Sequence, residues 1–439
     1  MGRKSHTQTL YCSMNGVLVG ELHHKRNALS FEYAQSWIER RGSRPLSQSL
    51  PMSALLNDQA VEAYFENLLP DNMNIRKNIV SRLGARSTSV FDLLVLIGRD
   101  CVGAIALSSE PPLGKPPTVE IQVYNEHDIA SHIKNTRTTN TLGMQNNEDF
   151  RISLAGAQEK TALTWWNDQW NKPLGKTPTT HIFKPPINHH ETMNIDFRNS
   201  IDNEWFCLAF LKELGLSVAH AEIKQFEDER VLIVERFDRK VNADSIIRLP
   251  QEDFCQALGR LSDNKYEEHG GPSALEIMEL LSFSLRPIED RIVFMKSQVL
   301  FWLLAANDGH AKNFSIFLRP NGFHLTPFYD VISAYPYFGT GNTHPRKIKM
   351  AMKVHSRNTH YHWYRIQARH WLSHAKYLGL SENIMVEILE KLFVEVPDAL
   401  KRANESAEPI FNKEVGQIIT RQTLNSLEKM KRQFELHRQ

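Results

Sequence analysis

Cysteine is scarce and scattered: Cys12, Cys101, Cys207 and Cys255 are the four in 439 residues, and none pairs as CxxC. That excludes a paired-cysteine redox or zinc motif and predicts reduced, mostly buried thiols in a cytoplasmic protein. The 19 histidines include no HExxH, and His23-His24 and His189-His190 lie in polar, loop-like text, so structural zinc is not expected. No uninterrupted apolar run is long enough to cross a bilayer. The opening MGRKSHTQTL lacks the apolar core of a secretory signal. No GxxxxGK[ST] is present, which excludes a P-loop, and no internal repeat is visible. Charge of one sign is also missing: the formal net charge is +2. That neither demands nor excludes a nucleic-acid partner, because a local basic face can hide in the average.

The chain is long enough for two or three domains, and its apolar and charged fractions are those of a globular protein. Its most informative stretch is LLAANDGHAKNFSIF. An apolar helical run, FMKSQVLFWLLAA, leads into Asp308, and a strand-like NFSIFL leads away from Asn313. An acid and an amide five positions apart on a tight loop match the protein-kinase arrangement. There an Asp accepts the proton of the attacking hydroxyl and the Asn holds a magnesium ion. Seventeen positions on, a hairpin with Asn-Gly as its expected turn returns at LTPFYD and delivers Asp330, suited to a second metal ligand. Asp and Asn also serve loops as local hydrogen-bond formers, so this stretch alone leaves both readings open.

Upstream text supplies companions. NGVLVGELH and ALSFEYAQSW read as two strands joined by KRN. DQAVEAYFENLLPDNMNIRKNIVSRLG reads as helix broken at Pro70, with Leu68, Leu69, Ile75, Ile79 and Leu83 as its apolar face. FDLLVLIGRDCVGAIALSS reads as helix, turn and strand, with Arg99-Asp100 structural. Residues 109–118 are a Pro- and Gly-rich connector, followed by a polar helical segment. In FRISLAGAQEKTALTWW, the small residues Ala155-Gly156-Ala157 and then Gln158 separate two strands, either as a flap over phosphates or as a simple hairpin turn. TTHIFKPP is a strand carrying Lys184, placed either for the α- and β-phosphates or facing solvent. DNEWFCLAFLKELGL is an amphipathic helix capped by Asp202 or Asn203. Glu204, in its first turn, is expected to serve the helix dipole rather than pair with Lys184. AEIKQFEDERVLIVERFDRK is a hairpin ending at Glu235-Arg236-Phe237, where a kinase meets adenine, and the text from LPQEDFCQALG onward is mostly helical.

ISLAGAQEK, HIFKPP, VERFDR, LPQEDFCQALG, DGHAKNFS, LTPFYDVISAYP and FENLLPDN together resemble the blocks of the HipA family, the toxin serine/threonine kinases of bacterial toxin–antitoxin pairs. The resemblance covers nearly the whole chain. It implies an α+β, two-lobed, protein-kinase-like fold with an additional N-terminal α/β subdomain and a mostly helical C-terminal lobe. The expected division is 1–110, 111–238 and 239–439. ATP and Mg2+ are the implied cofactors. Asp308 matches the catalytic base, and Asn313 and Asp330, the latter after Tyr329, match metal and nucleotide ligands. Lys184 matches the ATP lysine, and Ala155, Gly156, Ala157, Gln158, Glu159 and Lys160 the phosphate loop. Glu235, Arg236 and Phe237 match adenine contacts, and His310, Ala311 and Lys312 match nucleotide contacts. Ser153 matches an autophosphorylated serine whose modification switches the kinase off.

The implied partners are a small dimeric helix-turn-helix, HipB-like antitoxin, operator DNA through that complex, and a translation component, glutamyl-tRNA synthetase, as substrate. No membrane is implied, and the expected location is the cytoplasm, or the nucleoid when in the antitoxin–DNA complex. Certain family members touch DNA through a Lys and an Arg three apart. Lys376 keeps the first, but Gly379 stands at the second, so this chain is expected to add little DNA affinity of its own, with Arg369 or His374 left as phosphate contacts. The alternative to a kinase is a catalytically idle corepressor that scaffolds the antitoxin.

Overall fold

A computed structural model describes residues 7–26, 28–53, 55–137, 160–187, 196–340 and 343–438. The chain is α+β, and the larger hydrophobic clusters among the described residues correspond to an N-terminal subdomain, a small sheet lobe and a large helical lobe.

The N-terminal subdomain holds β1 (Gln8–Met14), β2 (Val17–Lys25), β3 (Ala28–Tyr33), α1 (Gln35–Ile38), α2 (Asp58–Glu66), α3 (Met73–Leu83), α4 (Val90–Ile97) and β4 (Ile105–Ser108). Its antiparallel sheet has the order β3-β2-β1-β4. The sequence reading missed β1, whose alternation points Leu10, Cys12 and Met14 into the core. The helix break at Pro70 is observed: Asn72 caps α3 through the Asn74 N–H, and Gly84 ends it at φ 69°. Leu68 and Leu69 are buried in the break itself.

The small lobe contains β5 (Ile121–Val123), α5 (Glu126–Arg137), β6 (Thr161–Trp166), β7 (Gln169–Pro173), β8 (His181–Lys184), α6 (Ser200–Glu213), β9 (Ala221–Phe226) and β10 (Glu229–Glu235). Its sheet runs β5-β7-β6-β8-β10-β9, which places Lys184 at the end of an interior strand rather than on an edge. Helix α6 begins at Ser200 behind its cap position Asn199, three or four residues before the expected cap at Asp202 or Asn203. Its apolar side joins the core of the large lobe, where it packs on α11 (Glu382–Glu405).

The large lobe adds β11 (Arg239–Val241), β12 (Ile246–Arg248), β13 (Gln251–Asp253), α7 (Phe254–Ala257), α8 (Ala274–Leu281), α9 (Pro287–Leu303), β14 (Ser315–Arg319), β15 (Gly322–Leu325), β16 (Lys349–His355), β17 (Thr359–His362), α10 (Ala368–Tyr377), α11 and α12 (Lys413–Arg438). Pro287 at the first turn of α9 lacks the N–H that would have no partner there. Arg319 pairs with Gly322, so the β14–β15 turn is Pro320-Asn321, one residue earlier than the expected Asn-Gly. Proline's fixed φ suits the first corner of such a turn. The β16–β17 hairpin is a second element missing from the sequence reading.

A buried ionic hub joins the subdomain to both lobes. Asp100 accepts from Arg239 (2.9 Å), Arg248 (3.1 Å), the Thr179 N–H (3.0 Å) and the Thr179 hydroxyl (2.6 Å), with Arg236 at 3.4 Å. Asp238 pairs with Arg236 at 2.9 Å and Arg239 at 3.0 Å and accepts the Gly103 N–H at 2.7 Å. Burial alone raises the Asp100 carboxyl, but three guanidinium groups reverse this and hold it well below the ordinary range. Asp100 is therefore structural, as its sequence context implied. All four cysteines are buried free thiols. Among the described residues, no helix is long and apolar enough to cross a membrane.

Candidate functional site

Three chain segments converge on Asp330. Strand β8 ends at Lys184, whose ammonium donates to Glu204 of α6 at 2.7 Å and to Asp330 at 2.9 Å. Glu204 is thus an ion-pair partner. The expectation that it only served the helix dipole is corrected, because α6 starts at Ser200 and carries Glu204 past its first turn onto the face toward β8. Both Lys184 and Glu204 are buried, whereas the Asp330 side chain keeps a third of its surface exposed. Residue 330 sits at φ 60°, the left-handed region, just after Phe328 bonds back to the loop behind α6 through Ser217 and Ala219 (2.8 Å each). This kink turns the carboxylate from the strand direction toward Lys184.

One ammonium serves two carboxylates. Burial opposes the Lys184 charge, yet Asp330 and Glu204 overcome it and push its pKa up. Burial raises Asp330, but Lys184 and Lys160 outweigh it and hold Asp330 well below its ordinary value. Lys160 belongs to the same cluster, and burial lowers it to about 8 against the pull of Asp330. The site therefore keeps an ionised carboxylate at its mouth, backed by two lysines.

The loop after α9 carries the second group of residues. Ala311–Asn313 form one 3-10 turn, and the Asn313 amide donates to the Asp308 carbonyl at 2.7 Å. This bond closes the five-residue span and faces the Asn313 oxygen the other way. The Asp308 side chain is exposed over 60% of its surface, and the Tyr266 hydroxyl donates to it. His310 is buried, lies 4.0 Å from Asp308, and stacks edge-on with Tyr266 at 5.1 Å.

The other candidate positions fare differently. Ala311 is fully buried. The Lys312 ammonium is directed away from the mouth, to the Asn67 side-chain oxygen (2.8 Å) and carbonyl (3.1 Å), with Asp71 at 3.3 Å. The Tyr329 hydroxyl donates to the Lys312 carbonyl at 2.9 Å and bonds Ser315. Its ring lies 5.7 Å from Phe237, which is itself 5.7 Å from Phe317, so Phe237 forms an apolar wall beside the site. Glu235 is exposed, and the backbone N–H groups of Glu235 and Arg236 already donate to His220 (2.8 Å) and Thr180 (2.9 Å). The Arg236 guanidinium is held in the Asp100 hub. Ser153, Ala155, Gly156, Ala157, Gln158 and Glu159 lie outside the described residues.

Lys376 is exposed near the end of α10. Gly379 adopts φ 74°, and Arg291 donates to its carbonyl at 3.0 Å, so a left-handed helix exit rather than a side-chain contact explains the glycine. Arg369 is exposed, but His374 is buried and accepts the His355 N–H at 3.1 Å, which removes it as a phosphate contact.

Tyr266, Asn67 and Asp71 were not among the sequence candidates. Their local signal is faint: a polar Asn and Asp flank the apolar Leu68-Leu69-Pro70 break, and both prove buried or nearly so.

Comparison with known proteins agrees with this architecture. Residues 10–108 match the HipA N-terminal domain and residues 152–400 the HipA-like C-terminal domain. A Sinorhizobium fredii protein named "Putative kinase Y4mE" is 31% identical over 407 residues, covering 90% of this chain and 92% of its own. The "Serine/threonine-protein kinase toxin HipA" of Shewanella oneidensis is 28% identical over 409 residues, covering 90% and 89%. The structure of Shewanella oneidensis HipA, solved with HipB and operator DNA, superposes with a TM-score of 0.80 at 24% identity over 97% of this chain and 98% of that one. The fold is thus the two-lobed, kinase-like one with its extra N-terminal subdomain, and the chain belongs to the HipA family.

Proposed function

We propose that this chain is an ATP-dependent serine/threonine protein kinase acting as the toxin of a toxin–antitoxin pair. The observation that carries the reading is the intact ionic set: Lys184 bonded to both Glu204 and Asp330, beside a loop that presents Asp308 to solvent. A scaffold for an antitoxin has no need of a strained Asp330 or an exposed Asp308. In the proposed reaction, Lys184 and Lys160 balance nucleotide phosphate charge. Asp308 accepts the proton of the acceptor hydroxyl as its oxygen attacks the γ-phosphorus, and ADP leaves. Phe237 and Tyr329 offer an apolar flank to the base.

Asn313 and Asp330 are the residues that would hold magnesium. Among the described residues, no cluster of three or more His, Cys, Asp or Glu forms a metal cage. One amide and one carboxylate fit Mg2+, which takes its remaining ligands from phosphates and water. Bound there, the ion neutralises phosphate charge.

The finer reading extends to the partners. It comprises a small dimeric helix-turn-helix antitoxin that binds operator DNA with this chain, a translation component such as glutamyl-tRNA synthetase as substrate, and self-inactivation by phosphate at Ser153. The named relative is called a toxin kinase, and the matching structure contains HipB and operator DNA, which supports the partnership. The test is incubation of the purified chain with labelled ATP and a bacterial lysate, followed by mass spectrometry of labelled proteins. Transfer to a translation component, with Ser153 among the self-labelled sites, is expected. Equal labelling by wild type and Asp308→Asn would overturn the kinase reading.

A further inference from the structure

The loop that carries Asp308 is held from outside the two kinase lobes. Asp71, in the Pro70 break of the N-terminal subdomain, uses one carboxylate oxygen on Lys265 (2.9 Å) and the other on Lys312 (3.3 Å). Lys312 is the central residue of the turn between Asp308 and Asn313, and Asn67 grips its ammonium twice. Lys265 is the neighbour of Tyr266, whose hydroxyl bonds Asp308, and the Lys265 carbonyl accepts the Ala311 N–H at 3.4 Å. The same subdomain holds the start of that segment: Glu66 accepts from the Ser262 N–H (3.1 Å) and hydroxyl (2.9 Å), and the Asn67 amide donates to the Arg260 carbonyl at 2.7 Å. One carboxylate, with only 11% of its side chain exposed, therefore joins both strips of chain that set the Asp308 side chain.

We propose that Asp71 is a positioning residue for Asp308, fixing the catalytic turn through Lys312 and the Tyr266 hydroxyl through Lys265, so that phosphoryl transfer requires the N-terminal subdomain to be docked. This rests on the kinase reading above. Lys184, Glu204 and Asp330 share none of these bonds, and of the residues proposed to hold nucleotide or magnesium only Asn313 lies in the turn, so the effect falls on turnover more than on nucleotide affinity. A displacement of the base by an ångström or less is enough to slow transfer about tenfold to a hundredfold.

The test uses the full chain and steady-state kinetics with ATP and an acceptor protein. Asp71→Asn should lower kcat by about tenfold or more while KM for ATP stays within about twofold. Asp71→Glu, which keeps the charge, should recover part of the rate. Tyr266→Phe should lower kcat about tenfold, and the double variant should be little worse than Asp71→Asn alone, because residues that act in series are not additive. Wild-type kcat in Asp71→Asn, or losses that simply multiply in the double variant, would overturn the role. If Asp71→Asn does not fold, Tyr266→Phe and Lys265→Met decide it, and unchanged kcat in both overturns it. An inactive wild type overturns the kinase reading and this role with it, whereas an active wild type with an indifferent Asp71 overturns this role alone.

Discussion

Two buried ionic clusters of this protein, one of aspartates with arginines and one of carboxylates with lysine, end differently. In the hub around Asp100, both carboxylates are saturated: three arginines, a hydroxyl and backbone N–H groups occupy them, and water is excluded. Around Lys184, the buried end is equally tight, but Asp330 and Asp308 keep exposed oxygen atoms facing open space. A saturated cluster has nothing left to offer a ligand, so its role is to lock subdomain and lobes together. An unsaturated one holds charge ready for a partner that is not part of the chain. Burial and strong pKa displacement occur in both, so neither property by itself marks a functional site.

The sharpest break in that comparison is Asp308→Asn. It should fold and bind ATP as wild type does, yet lose about 10²–10⁴-fold in transfer rate. Wild-type rates in the purified variant would remove Asp308 from the mechanism. Asp100→Ala should do the converse. Removing one of the two carboxylates that three buried guanidinium groups share costs about 3–5 kcal/mol of stability, read by urea unfolding. If that variant is as stable as wild type, the hub is not the lock described here.

Asp330→Ala probes the open cluster alone. Magnesium-dependent ATP affinity should fall about tenfold, the scale of one charge-assisted contact, with a smaller change when magnesium is absent. Calorimetry in both conditions decides, and an unaltered magnesium dependence counts against Asp330 as a ligand.

A buried acid outside both clusters gives a further contrast. Glu252 is fully buried, accepts the Gln48 N–H at 2.9 Å, and burial raises it from 4.5 to about 8. Between those values the folded chain keeps a proton that the unfolded chain has released. Stability therefore falls as pH rises through that window, by at most about 1.4 kcal/mol per pH unit from this group. Glu252→Gln, which retains the acceptor oxygen, should flatten that slope in unfolding curves taken from pH 5 to 8. Parallel curves for the two proteins would show that Glu252 does not titrate there.

Much of the site was legible locally. Asp308 and Asn313 stand out because they lie five positions apart on one short loop, Asp330 because a hairpin returns seventeen positions further on, and the strand with Lys184 follows from alternation. The ordering of helix and strand around them was equally readable, apart from strands such as β1, β7 and the β16–β17 hairpin. The missed contacts have large separations in sequence: Lys184 with Glu204 of α6, Asp71 with Lys265 and Lys312, and Asp100 with Arg236, Arg239 and Arg248. No periodicity or motif encodes which lysine meets which acid across such distances.

By itself, the sequence determined most of the segment types and the five-residue spacing of Asp308 and Asn313. Each of these depends on backbone geometry within one or two turns of chain. The tertiary structure decided how the charges were spent. It turned Arg236 and Lys312 inward to bind the subdomain and drew Glu204 onto Lys184. It left Asp330 and Asp308 open. The reason is physical: a charge can leave water only with a partner, and packing alone settles which partner is within reach.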